Sequence, residues 1–266
     1  MKTRSITTKE KTIVCGGVAG ILGLPEALFW VIDEFCSIFQ LLGTNRLFFF
    51  AAKRNRHYYR LNREFSKTYQ KSEAFRDAVK GRMKDMSKQL YLNLSWCNNI
   101  TDVSALGGVH TLNLVGCTNI TDVSALGGVH TLNLGGCDNI TDVSALGCVH
   151  SLSLCGCCKI TDVSALGRVH DLCLCGCYKI TDVSALKNVH SLNLRYCDNI
   201  TDVSDLGGVH TLDLSRCSKI TDVSALKKVH VLCLCRCDSI TDVSALGSVH
   251  TLDPVSYTHL TLPKKA

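Results

Sequence analysis

A strict repeat of twenty residues runs through the chain from residue 90 onward. The pentapeptide Ile-Thr-Asp-Val-Ser begins at residue 100 and returns every twenty residues up to residue 240, without an insertion. The unit can be written I-T-D-V-S-A-L-G-x-V-H-x-L-x-L-x-x-C-x-x. A single unit is too small to bury its apolar side chains alone. A chain with this period is therefore expected to stack equal modules into one elongated body.

Two patterns inside the unit predict its local structure. The x-L-x-L segment alternates polar and apolar residues, which indicates a short strand with one buried face. Ile120, Val123 and Leu126 are spaced by three, which favours a 3₁₀ return with its apolar side turned inward. Because each unit is a translated copy of the previous one, the strands must be parallel. Nine strand positions are predicted, near Leu92, Leu112, Leu132, Leu152, Leu172, Leu192, Leu212, Leu232 and Leu252.

The predicted fold class is an α/β solenoid, a parallel-sheet stack with short 3₁₀ returns, preceded by a small α-helical N-terminal domain. We expect the strands on its concave side and the returns on its convex side. Four segments follow from the sequence. They are a basic and apolar N-terminal segment (1–22), a helical domain (23–89), the solenoid (90–253) and a tail (254–266).

The repeat resembles the leucine-rich repeat family, through the pattern L-x-L-x-x-C-x-x-I at Leu112, Leu114, Cys117 and Ile120. Cysteine stands where this family usually has asparagine or cysteine. The Ile-Thr-Asp that follows is similar to the cysteine-containing subtype of the F-box substrate adaptors of eukaryotes and large DNA viruses. The resemblance implies a protein-recognition scaffold with its binding surface on the concave face.

The chain has 17 cysteines, and eight of them occupy one repeat position, from Cys97 to Cys237. The resemblance places these eight at the turn after each strand, buried and with the thiol near backbone groups. They then act as small apolar fillers, and free thiols of this kind favour the cytoplasm or nucleus over secretion. A second set falls at alternating strand positions, where a soft-metal or redox site remains open although no metal ligand is assigned: Cys155, Cys173, Cys175, Cys233 and Cys235.

Histidine and aspartate also recur once per unit, from His110 to His250 and from Asp102 to Asp242. A row of imidazoles about 5 Å apart could bind metal or respond to pH, with protonation suppressed by charged neighbours. Alternatively, each histidine simply opens a strand. The aspartates are expected to cap backbone N–H groups where each return begins, because one carboxylate per unit is too sparse for calcium.

The variable residues of the predicted concave face are the candidate partner-binding residues. Aromatic and arginine side chains are frequent binding hot spots, and they concentrate late in the array. The candidates are Trp96, Asn113, Asn133, Asp171, Asn193, Arg195, Tyr196, Asp213, Arg216 and Arg236.

The region before the repeats resembles an F-box over roughly residues 23–65. It has a Leu-Pro-x-x-Leu opening at Leu24, an apolar first helix and an Asn-Arg-x-Phe segment at 45–48. The resemblance implies docking on a Skp1-like adaptor of a cullin ubiquitin ligase. The residues that would face the adaptor are Leu24, Pro25, Leu28, Ile32 and Phe35. A helical cap for the solenoid is the alternative. From this region we expect helices to continue through Arg60 and up to Met83.

The distribution of charge along the chain bears on the class of partner. Residues 1–89 carry 17 basic and 8 acidic side chains, whereas residues 90–253 carry 10 and 15. The acidic body disfavours nucleic acid as a partner. We expect no enzyme activity and no cofactor, because no nucleophile–base set or phosphate-binding loop is present. Two alternatives to a ligase adaptor stay open: a plain repeat scaffold, and a membrane-anchored or secreted receptor that uses residues 12–32.

The period breaks after Leu252. Residues 254–266 resemble the translation of a transposase-type sequencing adapter, so we expect a non-native tail and a natural array that continues.

Overall fold

The structure, a computed structural model, describes residues 58–60, 63–75, 77 and 89–253. In these ranges ten parallel strands form one sheet in chain order, β1 to β10. The strands are Tyr58–Arg60, Gln89–Asn93, Thr111–Asn113, Thr131–Asn133, Ser151–Ser153, Asp171–Cys173, Ser191–Asn193, Thr211–Asp213, Val231–Cys233 and Thr251–Asp253. No helix within the described ranges is both long and apolar enough to cross a membrane.

From β2 onward, each strand is connected to the next through a 3₁₀ helix, as the spacing of three predicts. The eight returns are Ser104–Leu106, Ser124–Gly128, Ser144–Cys148, Ser164–Leu166, Ser184–Asn188, Ser204–Gly208, Ser224–Lys228 and Ser244–Ser248. The nine predicted repeat strands, their parallel pairing and the 3₁₀ returns are therefore confirmed.

The strand register repeats the sequence period. Leu112 pairs with Leu132 and Leu132 with Leu152, and the same offset continues to Leu252. The backbone N–H of His130 donates to the carbonyl of His110 at 3.0 Å, and this bond is also copied from unit to unit. Every module thus meets its neighbour through the same contacts.

Seven side chains per unit form the core. In the unit around β3, Val109, Leu112, Leu114 and Cys117 are at most 1% exposed. Ile120, Val123 and Leu126 complete the set and are at most 2% exposed. Full burial of an aliphatic side chain stabilises by about 1.5–3 kcal/mol, so the aligned rows of these residues supply the main cohesion of the array.

The buried cysteines also link neighbouring units. The Cys177 thiol donates to the Leu154 carbonyl at 3.1 Å, a bond of 3.0–3.3 Å that is repeated by each row cysteine from Cys117 to Cys237. Burial raises the pKa of Cys157 to about 12, which keeps the thiol protonated. The predicted burial beside backbone groups is confirmed, and each thiol joins its unit to the preceding one.

The aspartate row caps the returns. Asp142 Oδ1 accepts the backbone N–H of Ser144 at 2.8 Å, and all eight units make the same bond at 2.8–2.9 Å. The predicted capping role is therefore correct.

The segment before the repeats departs in part from the prediction of continuous helix. Tyr58–Arg60 is strand β1, and it pairs in parallel with β2. The physical reason is that β2 would otherwise present an unpaired edge. Helix α1, Arg63–Lys71, follows and contacts β2.

Buried side chains from α1 and the residues after it cover the first repeat. Tyr69 and Phe75 are 1% exposed, and Ser66 Oγ accepts the Asn93 N–H at 3.2 Å. This part of the chain therefore caps the array.

Candidate functional site

One face of the sheet carries the side chains that point away from the core. In the unit around β3 these are Thr111, Asn113 and Val115, which alternate with buried Leu112 and Leu114. We call this surface the sheet face. It corresponds to the surface predicted to be concave.

The residue before each row cysteine adopts a left-handed backbone conformation. Four units have glycine there, with φ of 70–75° at Gly116, Gly136, Gly156 and Gly176. The other four units have large side chains, with φ of 58–63° at Trp96, Tyr196, Arg216 and Arg236. An L-residue in this conformation costs roughly 1–2 kcal/mol, whereas glycine adopts it freely.

Three of these four large residues lie in consecutive units. Tyr196, Arg216 and Arg236 follow one another at the repeat spacing, and the Tyr196 ring lies between two guanidinium groups. Its centroid is 5.1 Å from Arg195 Cζ and 4.9 Å from Arg216 Cζ, within cation–π range. We call Arg195, Tyr196, Arg216 and Arg236 the arginine–tyrosine cluster. The structure thus brings Arg195, Tyr196 and Arg216 together, and Arg236 occupies the equivalent position in the next unit.

Trp96 presents a separate aromatic surface near the start of the array. Its side chain is 66% exposed, and the ring lies over Gly116, where an added Cβ would collide with it. The ring therefore needs the glycine of the next unit beneath it.

Four other predicted binding residues use their oxygen atoms locally. Each accepts the backbone N–H two residues later, at 2.9–3.0 Å, which turns the chain at the end of the strand. These residues are Asn113, Asn133, Asn193 and Asp213. Their side chains shape the sheet face in addition to lying on it.

Asp171 has a different local partner. Its carboxylate lies 3.0 Å from Nδ1 of His170, and both side chains are nearly half exposed. The predicted adaptor-facing residues Leu24, Pro25, Leu28, Ile32 and Phe35 lie outside the described residues, as does the tail from residue 254.

The histidine row, His110 to His250, stacks along one edge of the sheet. Consecutive ring centroids are 4.4–4.7 Å apart, which agrees with the predicted spacing. Burial, followed by the neighbouring imidazoles His230 and His190, lowers the pKa of His210. Burial and then His130 do the same for His110. The direction agrees with the predicted suppression of protonation, and burial is a larger cause than the neighbouring imidazoles.

The second cysteine set lies on the sheet face, as predicted. Cys233 Sγ and Cys235 Sγ are 3.5 Å apart, and Cys233 Sγ is 3.8 Å from a carboxylate oxygen of Asp253. Burial, followed by Cys233, raises the pKa of Cys235 to about 11. The sequence analysis had found the thiols but not Asp253, whose proximity follows from the pairing of β10 with β9.

A family model described as Leucine Rich repeat matches residues 90–106. No curated protein sequence matches the chain.

Solved structures from Listeria monocytogenes are similar to parts of the chain. Internalin inlF is 25% identical, with a TM-score of 0.46 over 63% of this chain and 54% of that one. Internalin C2 is 22% identical, with a TM-score of 0.49 over 72% and 91%. The functional domain of InlJ, which includes a cysteine ladder, is 17% identical, with a TM-score of 0.28 over 61% and 50%. The chain thus spans about half of the inlF and InlJ structures.

The matched segment coincides with the first of the stacked units, and the units after it share its strand, buried cysteine and 3₁₀ return. The stacked units are therefore similar to the repeats of the leucine-rich repeat family.

Proposed function

We propose that this protein is a non-enzymatic recognition scaffold that binds an acidic segment of a partner protein through the arginine–tyrosine cluster. The leucine-rich repeat fold favours protein binding, and a parallel sheet held by rows of buried side chains offers a rigid platform for it.

The observation that supports this proposal is the backbone conformation of Tyr196, Arg216 and Arg236. Each occupies a left-handed position that four other units fill with glycine. Large side chains at a position that favours glycine lower stability, and residues of this kind cluster at ligand-binding sites. We therefore attribute the strain to partner binding by these side chains, which glycine could not provide.

The charge of the cluster indicates the chemistry of the partner. Two guanidinium groups, of Arg195 and Arg216, lie over the Tyr196 ring, Arg236 occupies the equivalent position in the next unit, and the net charge of residues 90–253 is negative. Arginine binds carboxylates with paired, charge-assisted hydrogen bonds. An acidic segment that carries an aromatic or aliphatic anchor fits this surface.

A selection from a displayed peptide library on the full chain tests the proposal. We expect acidic peptides to be enriched and to lose at least tenfold in affinity for the Tyr196→Gly and Arg216→Gly variants. Lys187→Gly is the matched control, because it removes a positive charge from a 3₁₀ return where other units have glycine. Equal loss in the control, or enrichment of basic peptides, would contradict the proposal.

The F-box-like motif adds a finer proposal, in which the N-terminal region docks on a Skp1-like adaptor and the solenoid holds a target for ubiquitination. Its support is the sequence motif alone, with the Leu-Pro-x-x-Leu opening at Leu24, an apolar predicted first helix and the segment at 45–48. The full chain should then co-purify with such an adaptor, and Leu24→Asp or Ile32→Asp should abolish this without changing peptide binding. Persistence of the complex in both variants would leave a plain repeat scaffold as the function.

The proposed location is the cytoplasm or nucleus. The support is that all fifteen described cysteines are free thiols, seven of which donate to backbone carbonyls of the preceding unit. A reducing compartment maintains such thiols. Fractionation of cells that express the full chain tests this, and a membrane-bound or secreted pool would favour the receptor alternative.

A further inference from the structure

Three ligand-type atoms converge on the sheet face at the last two described strands. Cys233 and Cys235 are two residues apart, so both side chains leave the same face of the chain. Asp253 is the register partner of Cys233 on β10. The two sulfur atoms and a carboxylate oxygen all lie within 4.8 Å of one another, and all three residues are half-buried.

Two of the three separations between ligand atoms are close to those of tetrahedral zinc coordination. Zinc binds cysteine sulfur at about 2.3 Å and carboxylate oxygen at about 2.0–2.2 Å, so its sulfur ligands lie about 3.8 Å apart and sulfur and oxygen about 3.6 Å apart. The observed separations are 3.5 Å between the sulfurs and 3.8 Å between Cys233 Sγ and the carboxylate. These two separations differ from the tetrahedral values by a few tenths of an ångström, and the third, between Cys235 Sγ and the carboxylate, is within 4.8 Å.

A neighbouring hydroxyl supports one of the ligands. Ser215 is 3% exposed, and its Oγ donates to Cys233 Sγ at 3.2 Å. Hydrogen bonds from the surroundings to ligating atoms orient them and raise metal affinity. The site therefore has a second layer of contacts in the adjoining strand region.

An earlier pair in the same chain shows what makes this site distinct. Cys173, at the end of β6, and Cys175 have the same spacing, but the register partner of Cys173 is Asn193, whose amide is a much weaker zinc ligand than a carboxylate. Only the later pair combines two thiols with a carboxylate among the residues described.

We infer that Cys233, Cys235 and Asp253 bind a thiophilic divalent cation of the zinc class, with the fourth position open to water. The ion would join β9 to β10 and so fasten the last two described units together. This goes beyond the proposed recognition function, because it concerns a different cluster and a different ligand.

Cobalt(II) titration of the full chain under reducing conditions tests the inference. A tetrahedral thiolate site produces intense visible bands together with sulfur-to-cobalt charge-transfer absorption, and zinc should displace the cobalt and abolish both. We expect saturation at one equivalent. Cys233→Ser and Cys235→Ser should lose the charge-transfer absorption, and Ser215→Ala should weaken binding about 10–100-fold.

Two further variants distinguish this site from the earlier pair of cysteines, Cys173 and Cys175. Asp253→Asn recreates the Cys173, Cys175 and Asn193 arrangement and should weaken zinc at least as much as Ser215→Ala does. Cys173→Ser should leave the spectrum unchanged. Bands that disappear in Cys173→Ser but survive in Cys233→Ser would overturn the inference, because the metal would then bind the earlier cysteines.

A spectrum without thiolate absorption would also overturn the inference. It would place the ion on nitrogen and oxygen ligands such as His150, His170 and Asp171, which also form a cluster. Circular dichroism of each variant without metal verifies that it folds. The peptide-binding test remains independent, since it reports on the arginine–tyrosine cluster.

Discussion

The residue before each row cysteine differs between two groups of units. Four units have glycine there, which avoids backbone strain, and four have a large side chain in the same strained conformation. Gly176 and Tyr196 are equivalent in the repeat and share a left-handed φ, of 75° and 62°. The glycine relaxes the backbone there, whereas the tyrosine places an aromatic ring between Arg195 and Arg216. The turn therefore imposes the left-handed φ at this position in every unit. The backbone strain is small where the residue is glycine and larger where it has a side chain.

Exchanging glycine at this position should change stability in opposite directions. Arg236→Gly should raise the free energy of unfolding by about 1 kcal/mol, because it removes the left-handed strain. Gly176→Ala should lower it by about 1–2 kcal/mol through that strain alone, since an added Cβ has its nearest neighbour at 3.8 Å. Urea denaturation measures both. Destabilisation by Arg236→Gly would show that the arginine makes stabilising contacts that outweigh the strain.

Two rows of polar side chains border the elements of each unit. The 3₁₀ returns begin on an aspartate that accepts the N–H of the serine two residues later, and the strands are preceded by stacked histidines. Donation by the backbone N–H of the following serine lowers the pKa of Asp122, Asp142 and Asp162. The two rows should therefore respond to acid in different pH ranges.

The aspartate row should destabilise the array below about pH 4. A carboxyl whose pKa is lower in the folded state stabilises above its unfolded pKa, near 3.9, and loses that contribution as the pH falls further. Replacing Asp122, Asp142 and Asp162 with asparagine keeps an acceptor but removes the titration. The triple variant should show a shallower fall in melting temperature between pH 5 and pH 3. An unchanged slope would mean that these caps do not couple protonation to folding.

The histidine row should act at higher pH. His210 has a lowered pKa, so its neutral form stabilises fully above the unfolded value near 6.5, and that contribution is lost as the pH falls through the folded pKa. We expect the melting temperature to fall cooperatively between pH 6.5 and pH 5, and less steeply in His210→Gln. A constant melting temperature across this range would exclude a pH-sensitive row.

The sequence predicts the strands and returns that belong to the repeat, but it does not predict strand β1, which precedes the repeat. Burial of Leu112, parallel pairing and the returns follow because one strand pattern is translated unchanged. Strand β1 lies outside the repeat, so nothing in its own residues identifies β2 as its partner. The left-handed turn had a usable signal, since glycine at Gly116 and three equivalent positions indicates positive φ. The meeting of Asp253 with Cys233 required the strand register.

The described repeats form a stack in which each unit pairs with the units before and after it. Stability is then the sum of unit and interface contributions. Leu172 lies in the middle, 2% exposed, with strands on both sides, whereas Leu252 on β10 is only half-buried.

Truncation of a core leucine should therefore depend on its place in the stack. Leu172→Ala should cost about 2–5 kcal/mol, because it leaves a cavity between two interfaces. Leu252→Ala should cost clearly less, because solvent already reaches this side chain. Chemical denaturation of both variants provides the comparison. Equal costs would mean that the array does not divide into nearest-neighbour interfaces.

The unvarying register has an evolutionary consequence. Each unit presents the same pairing surface to the unit before it and to the unit after it. Unequal crossing-over that removes or adds the codons of one unit therefore still lets the remaining strands pair in the same register. The number of units can then change between generations without a new folding problem. Each such event between Trp96 and Tyr196 would lengthen or shorten the distance between these two side chains by one strand spacing. The separation of the two exposed aromatic surfaces can therefore change only in steps of one unit.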